Sequence, residues 1–324
     1  MNAVERVQAV LAGRKPDRPP VSFWHHFQPD QFCGAAAVRA HLEHFEMYDL
    51  DFLKVMNDNG YPYGQLVECV DDLRALTVLS GGEPLFARQL ELIAELKRAL
   101  RGRALMTTTI FNPWATLRHM VRKPGAHKPP NLNATEDAPT KRLLGFLDQD
   151  EPAVRTAVQT IAASLANFVR RCLDAGADGI FMSVRDDWLS ALGGPTLYDQ
   201  LLRAADVEIL SAASTGSFNM LHVCGRPVDL AAFGRYPVHA INWADRAAGP
   251  SIADVVQWMK PAICGGVDNL STLPDGAPED CEREVREALA QAGDRPIMIS
   301  AGCTYDPKRV PQSNLEAMCR AARV

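Results

Sequence analysis

Leu221–Gly225, LHVCG, sets an imidazole and a thiol two positions apart. In an extended strand residues i and i+2 share a face, so His222 and Cys224 project together, and the glycine after them ends the strand. Near the other end of the chain, ISAGCTYDP places Cys303 directly after Gly302 at the close of an apolar run. One imidazole and two thiolates make a borderline-soft donor set that suits Zn2+, and three protein ligands leave a fourth position open for a substrate. Spacing alone leaves a second reading open. A histidine on a buried strand often serves packing, and a free cysteine packs as a small hydrophobe.

The elements that would position these groups alternate short apolar runs with longer amphipathic stretches. Eight strands are expected: Pro20–Trp24, Phe52–Met56, Ala104–Ile110, Gly179–Ser183, Asn219–His222, Ala240–Trp243, Ala262–Val267 and Ile297–Ala301. Helical patterns lie between them at Pro84–Leu100, Ala153–Ala175, Leu197–Ser214, Ile252–Met259 and Pro278–Ala292. Proline opens the first and last of these, where its missing N–H costs nothing, and glycine follows two of them as a left-handed stop. Eight β-then-α units predict an α/β fold, a (β/α)8 TIM barrel spanning 1–324 as a single domain, with its chemistry at the C-terminal ends of the strands. No G-x-G-x-x-G follows the first strand, which disfavours an open dinucleotide-binding sheet. The proline-rich segment Arg122–Arg142 breaks the rhythm after the third strand. It reads as a flap over the barrel mouth or as a surface insertion.

Further candidates sit at predicted strand ends. His25 and His26 follow the first strand and could serve as acid, base or an additional ligand. Asn57, Asp58 and Asn59 end the second strand and face a pocket or cap a turn. Arg185 leaves the fourth strand as an anion clamp, with Asp186 or Asp187 as its partner. Trp24, Phe111, Trp114 and Trp243 would line an apolar pocket or belong to the core. Asp245 and Asp268 finish the sixth and seventh strands, where either could orient a metal-bound imidazole or supply a fourth ligand.

Bulk properties exclude several classes of partner. A formal net charge of −5 over 324 residues gives no basic stripe for nucleic acid or an acidic membrane surface. No apolar run approaches the roughly 20 residues that span a bilayer. The charged N-terminal helix pattern does not read as a signal peptide, so a cytoplasmic protein with reduced thiols is expected. The eight cysteines include no C-x-x-C pair, and a disulfide framework is not expected.

ERVQAVLAGRKPDRPPVSFW, GADGIFMS, LHVCG, GGVDN and GCTYDPKRVPQSNLEAMCRAAR occur in an order that resembles the uroporphyrinogen decarboxylase superfamily along essentially the whole chain. That resemblance implies a (β/α)8 barrel, commonly paired as a homodimer in the decarboxylases. It also implies one of two chemistries. True decarboxylases act without metal and hold their substrate's carboxylates with an arginine-rich stretch after the first strand. The corresponding Phe23–Gly34, FWHHFQPDQFCG, has no arginine. Corrinoid-linked methyltransferases, similar to the methylcobamide:coenzyme M enzymes, bind zinc through H-x-C and a later G-C, which His222, Cys224 and Cys303 match. Asp58 stands where the decarboxylases keep a catalytic aspartate. The resemblance thus implies a zinc-dependent methyltransferase acting on a small-molecule substrate, with methylcorrinoid supplied by a separate corrinoid protein. A corrinoid-linked demethylase and a uroporphyrinogen decarboxylase-type carboxy-lyase are the alternatives.

Overall fold

The structure is a computed structural model that describes residues 1–62, 66–121, 138–185, 192–225 and 227–323. Among the described residues seven strands run parallel in chain order: β1 (Phe52–Val55), β2 (Leu105–Phe111), β3 (Gly179–Arg185), β4 (Met220–Cys224), β5 (Ala240–Trp243), β6 (Ala262–Val267) and β7 (Met298–Ala301). Helical segments join each strand to the next. Neighbours in sequence are therefore neighbours in the sheet, the arrangement of a curled, TIM-like α/β fold.

Alternation along the strands divides the apolar residues into two cores. Leu53, Ile180, Leu221, Ile241, Ile263 and Ile299 face outward into the layer packed by helices. Phe52, Phe181, Met220, Ala240, Ala262 and Met298 face inward and form a separate cluster. Val7 and Val10 of the helix Ala3–Leu11 join that inner cluster. Since most of its strand residues are the first or second of their strands, this helix closes the N-terminal end of the sheet. The interior is thus filled from below, and its opposite end is left to polar residues.

The first of the eight expected strands, Pro20–Trp24, is not a ladder strand. Pro19 and Pro20 carry no N–H to donate, and the segment makes only isolated parallel bridges, Val21 to Ile299 and His25 to Tyr305. It nevertheless bonds to both edges of the sheet. The Ile299 N–H donates to Pro20 O at 2.8 Å, and the Asp51 N–H donates to Val21 O at 2.8 Å. Asp51, 1 % exposed, secures the second edge by accepting the Val21 N–H at 2.8 Å, with Arg18 at 2.6 Å and Arg6 at 3.2 Å on its carboxylate.

Helices follow local signals closely where those are strong. Pro84–Leu100 and Pro278–Ala292 begin at proline as expected, and the second ends at Gly293 with φ +59°. The stretch expected as one helix over Leu197–Ser214 is divided instead. A wider π turn, Asp199–Arg203, separates Pro195–Tyr198 from Ala204–Ala212. Across it the Tyr198 hydroxyl donates to the buried Asp206 at 2.6 Å, and the Tyr236 hydroxyl donates to the same oxygen at 2.8 Å. Burial pushes the Asp206 carboxyl up to about 6. The helix expected over Ile252–Met259 shortens to Ile252–Val255 and continues as a tight turn, in which the Trp258 N–H donates to Val255 O at 3.1 Å. Of the expected flap, residues 138–142 belong to the helix Ala138–Gln149, and the rest lies outside the described residues. No described helix is long and apolar enough to cross a membrane.

Replacing Asp51 by Asn keeps the side chain's shape but leaves Arg18 without a counter-charge, while Arg6 keeps Asp17. Removing one partner of a buried ion pair costs about 3–5 kcal/mol, so urea unfolding should show a loss of about that size. A change below about 0.5 kcal/mol would mean that this contact does not secure the edge.

Candidate metal centre

Parity decides which side chains meet. Phe181 and Met220 face inward, so His222 and Cys224 on the same parity of β4 also face the interior. Gly225 follows with φ +143°, a backbone region that side chains resist. Cys303 arrives from β7 through Gly302, whose N–H donates to Val267 O at 3.0 Å. A Cβ at Gly302 would stand 2.6 Å from Ala244 Cα, so only glycine lets the chain turn there.

The ligating atoms of His222, Cys224 and Cys303 all lie within 4.8 Å of one another. His222 Nε2 stands 3.4 Å from Cys303 Sγ. A tetrahedral zinc with bonds of about 2.0–2.3 Å separates its ligands by about 3.3–3.8 Å. A hydrogen bond from Cys224 pulls the Cys303 thiol down, and that bond together with burial pushes the Cys224 thiol up.

The imidazole's tautomer follows from Asn242, which is fully buried on β5 and is the register partner of His222. Its Nδ2 donates to Cys264 O at 2.8 Å and to Ala301 O at 3.1 Å. Both amide hydrogens are thereby committed, so Oδ1, 2.6 Å from His222 Nδ1, can only accept. Nδ1 therefore carries the proton, and Nε2 offers its lone pair toward the thiols. Sequence reasoning passed over Asn242. An amide at an inward position of the next strand was the available signal.

Neither aspartate expected to orient the imidazole does so. Asp245 accepts the Gly266 N–H at 2.9 Å, and burial pushes its carboxyl up to about 6. Asp268 accepts from Leu270 N and Ser271 Oγ, at 2.7 Å and 2.5 Å, as a turn cap.

The remaining candidates divide by position. His26 and Asp58 meet at 2.6 Å, and Asp58 also accepts the Phe27 N–H at 3.3 Å. His25 packs instead against Phe27, His44 and Tyr305, and burial lowers its pKa. Asn59 Nδ2 is spent on Phe32 O and Gln89 Oε1. Asn57 is buried, with neither amide atom hydrogen-bonded among the described residues. Trp24 lies in the inner core against Phe181, with ring centroids 4.9 Å apart. Trp114 and Trp243 belong to the outer core. Trp243 Nε1 donates to Pro250 O at 2.8 Å. Phe111 ends β2 against the outer core, edge-on to Tyr61 and His119. Arg185 ends β3 beside Cys224 in register. Asp186 and Asp187 lie outside the described residues.

Lys54 is the second residue that sequence reasoning missed. It stands on β1 at 5 % exposure, with Nζ 4.4 Å from the Phe181 ring centroid and 5.3 Å from that of Trp24. Burial lowers its ammonium to about 7, against the opposing pull of Cys303 and Asp58. A lysine inside the apolar run FLKVM was the signal.

Residues 53–324 match the family described as Uroporphyrinogen decarboxylase (URO-D), and the chain belongs to that family. Among solved structures, a methyltransferase from Methanosarcina mazei is similar at a TM-score of 0.73 and 16% identity, covering 99% of this chain and 98% of that one. A B12-independent methionine synthase from a Shewanella species, in complex with selenomethionine, is similar at a TM-score of 0.58 and 10% identity, covering 94% and 97%. At these identities the likeness concerns the fold. No curated protein matches the chain.

Two outcomes follow from this geometry. Replacing Cys224 by Ala removes the donor that pulls Cys303 down, so in metal-free protein the Cys303 pKa should rise toward or above the ordinary thiol value of about 8.5. Thiolate absorbance against pH, referenced to a Cys303→Ala variant, measures this, and an unmoved titration would contradict that hydrogen bond. Replacing Asn242 by Ala strands two carbonyls and an imidazole N–H in the interior. Unfolding measurements should register a loss of about 2–4 kcal/mol, and a loss near zero would show that these bonds do not support the site.

Proposed function

We propose that this chain is a zinc-dependent methyltransferase that moves a methyl group between a corrinoid held by a separate protein and a small thiol. The convergence of His222 Nε2 with the sulfurs of Cys224 and Cys303 at the C-terminal rim carries this reading. The donor set is of the type zinc takes, and the tautomer set by Asn242 leaves the correct nitrogen free. The fold shared with a methyltransferase and a methionine synthase is consistent with it.

Zinc bound there would lower the pKa of a thiol entering the open position and hold it as a nucleophilic thiolate. The protein's residues set the conditions for that chemistry. Cys224 and Cys303 supply two negative charges that offset a divalent cation, so a third sulfur keeps its electron density. Phe181, stacked 5.5 Å from the His222 ring, excludes water from one side of the imidazole. His26 and Asp58 form a hydrogen-bonded pair near the mouth that can take up or deliver a proton.

Decarboxylation of a porphyrinogen is the rival within the family. Phe23–Gly34 carries no arginine to pair with its many carboxylates. Corrinoid-linked demethylation of a small methylated substrate uses the same donor set, and the identity of the group bound at the open position separates the two.

Zinc-loaded protein should accelerate methyl transfer from methylcobalamin to a small thiol, whereas metal-free protein and His222→Ala should not. A free thiol with a pKa near 8.5 is only a few per cent ionised at pH 7, so full ionisation alone is worth about tenfold or more. No thiol-dependent methylcobalamin consumption across a broad thiol panel would reject the proposal. Decarboxylation of uroporphyrinogen at about 1 per second or faster would replace it with the rival chemistry.

A further inference from the structure

With zinc bound at His222, Cys224 and Cys303, the chain's own thiolates stand beside a substrate thiolate, and each sulfur is a nucleophile. A methyl donor brought to that rim meets all of them. Transfer to the substrate alone requires that the protein's sulfurs be made poorer nucleophiles while they remain ligands.

The surroundings of Cys303 meet that requirement. Thr304 Oγ1 stands 3.7 Å from Cys303 Sγ, within reach of a hydrogen bond to sulfur. A thiolate has no hydrogen to give, so with Cys303 ionised the hydroxyl is the donor. After Cys224, the Thr304 hydroxyl and N–H pull the Cys303 thiol down most, against burial, and Lys54 on β1 adds to that pull. The backbone around Thr304 is fixed from two other segments. Asn269, buried just past β6, donates through Nδ2 to Thr304 O at 3.2 Å. The Tyr305 N–H donates to Trp24 O at 3.2 Å, and the Gly302 N–H to Val267 O at 3.0 Å. Bonds on both sides of Thr304 thus hold its hydroxyl against the sulfur. A hydrogen bond to a ligating thiolate takes up part of its charge, which lowers its nucleophilicity without detaching it from the metal.

We propose that Thr304 is a positioning residue that protects the protein from methylating itself: its hydroxyl damps the Cys303 sulfur, so that the methyl group goes to the substrate. In the side reaction it suppresses, a Cys303 lone pair forms the S–CH3 bond while the donor's leaving group departs with the electrons of the broken bond. For a methylcorrinoid, cobalt keeps that pair. The inference rests on the reading of the cluster as a zinc centre.

Peptide-resolved mass spectrometry of zinc-loaded protein treated with iodoacetamide tests it, the sulfur bonding to carbon as iodide leaves with the bonding pair. Cys224 and Cys303 are half-buried, and the exposed Cys33 serves as a reference thiol outside the centre. Thr304→Val keeps the side chain's shape and loses the hydroxyl. It should raise the Cys303 rate about two- to tenfold against Cys33, with zinc content and the Cys224 rate unchanged. Thr304→Ser should restore the wild-type rate. Thr304→Ala lacks the same hydroxyl and should match Thr304→Val, so it supplies the test if that variant does not fold. An unchanged Cys303 rate overturns the proposal. A parallel rise at Cys224, or loss of zinc from the variants, overturns it too, because the site would then merely have loosened. Wild-type protein that takes up no zinc rejects the metal reading itself, and this inference with it.

Discussion

The Asn242 amide is the contact on which the site depends. Through three short hydrogen bonds it ties His222 on β4 to carbonyls at Cys264 on β6 and Ala301 on β7. One side chain on β5 thus links strands on both sides of its own. It has no solvent exposure, so no water can substitute for a lost partner. The same commitment of hydrogens aims the imidazole lone pair at Cys303. Structure and chemistry share one set of bonds here.

Around that contact the division between inner and outer parity organises the rest. Apolar residues near the starts of the strands, closed by Val7 and Val10, fill the N-terminal half of the interior. Polar and sulfur-bearing side chains on the same parity, Lys54, Thr107, His222, Cys224, Asn242 and Ser300, occupy positions further along. Strict parallel order delivers all strand ends to one rim. A group at the end of β4 can therefore meet one just beyond β7 although nearly 80 residues separate them. The segment at Pro20–Trp24, bonded to both edges, keeps the sheet curled tightly enough for that meeting.

Much of this was legible in the sequence. The two-residue spacing of His222 and Cys224 set their common face, and glycines at 225 and 302 marked where each strand had to turn. Proline marked the start of the helices Pro84–Leu100 and Pro278–Ala292, and glycine the end of the second. What escaped was information held between segments rather than within them. Trp243 and Asn242 are adjacent, and only the register against β4 decides which of them faces inward. Asp245 and Asp268 looked like partners for the imidazole because they end strands, yet backbone N–H groups nearby compete for their oxygens. The π turn before Ala204 depends on Tyr198, Asp206 and Tyr236 meeting across sequence, and no local propensity encodes that. Lys54 was hidden by its apolar neighbours, which made its strand look like ordinary core.

The central claim is that one imidazole nitrogen and two thiolates of this chain hold a zinc ion, and X-ray absorption at the zinc edge tests it most directly. The account predicts, for the protein as purified, two sulfur scatterers at about 2.3 Å and nitrogen at about 2.0–2.1 Å, with the remaining position filled by a light atom or an added thiol. A shell of oxygen and nitrogen alone, or protein that retains no zinc after mild dialysis, would contradict it.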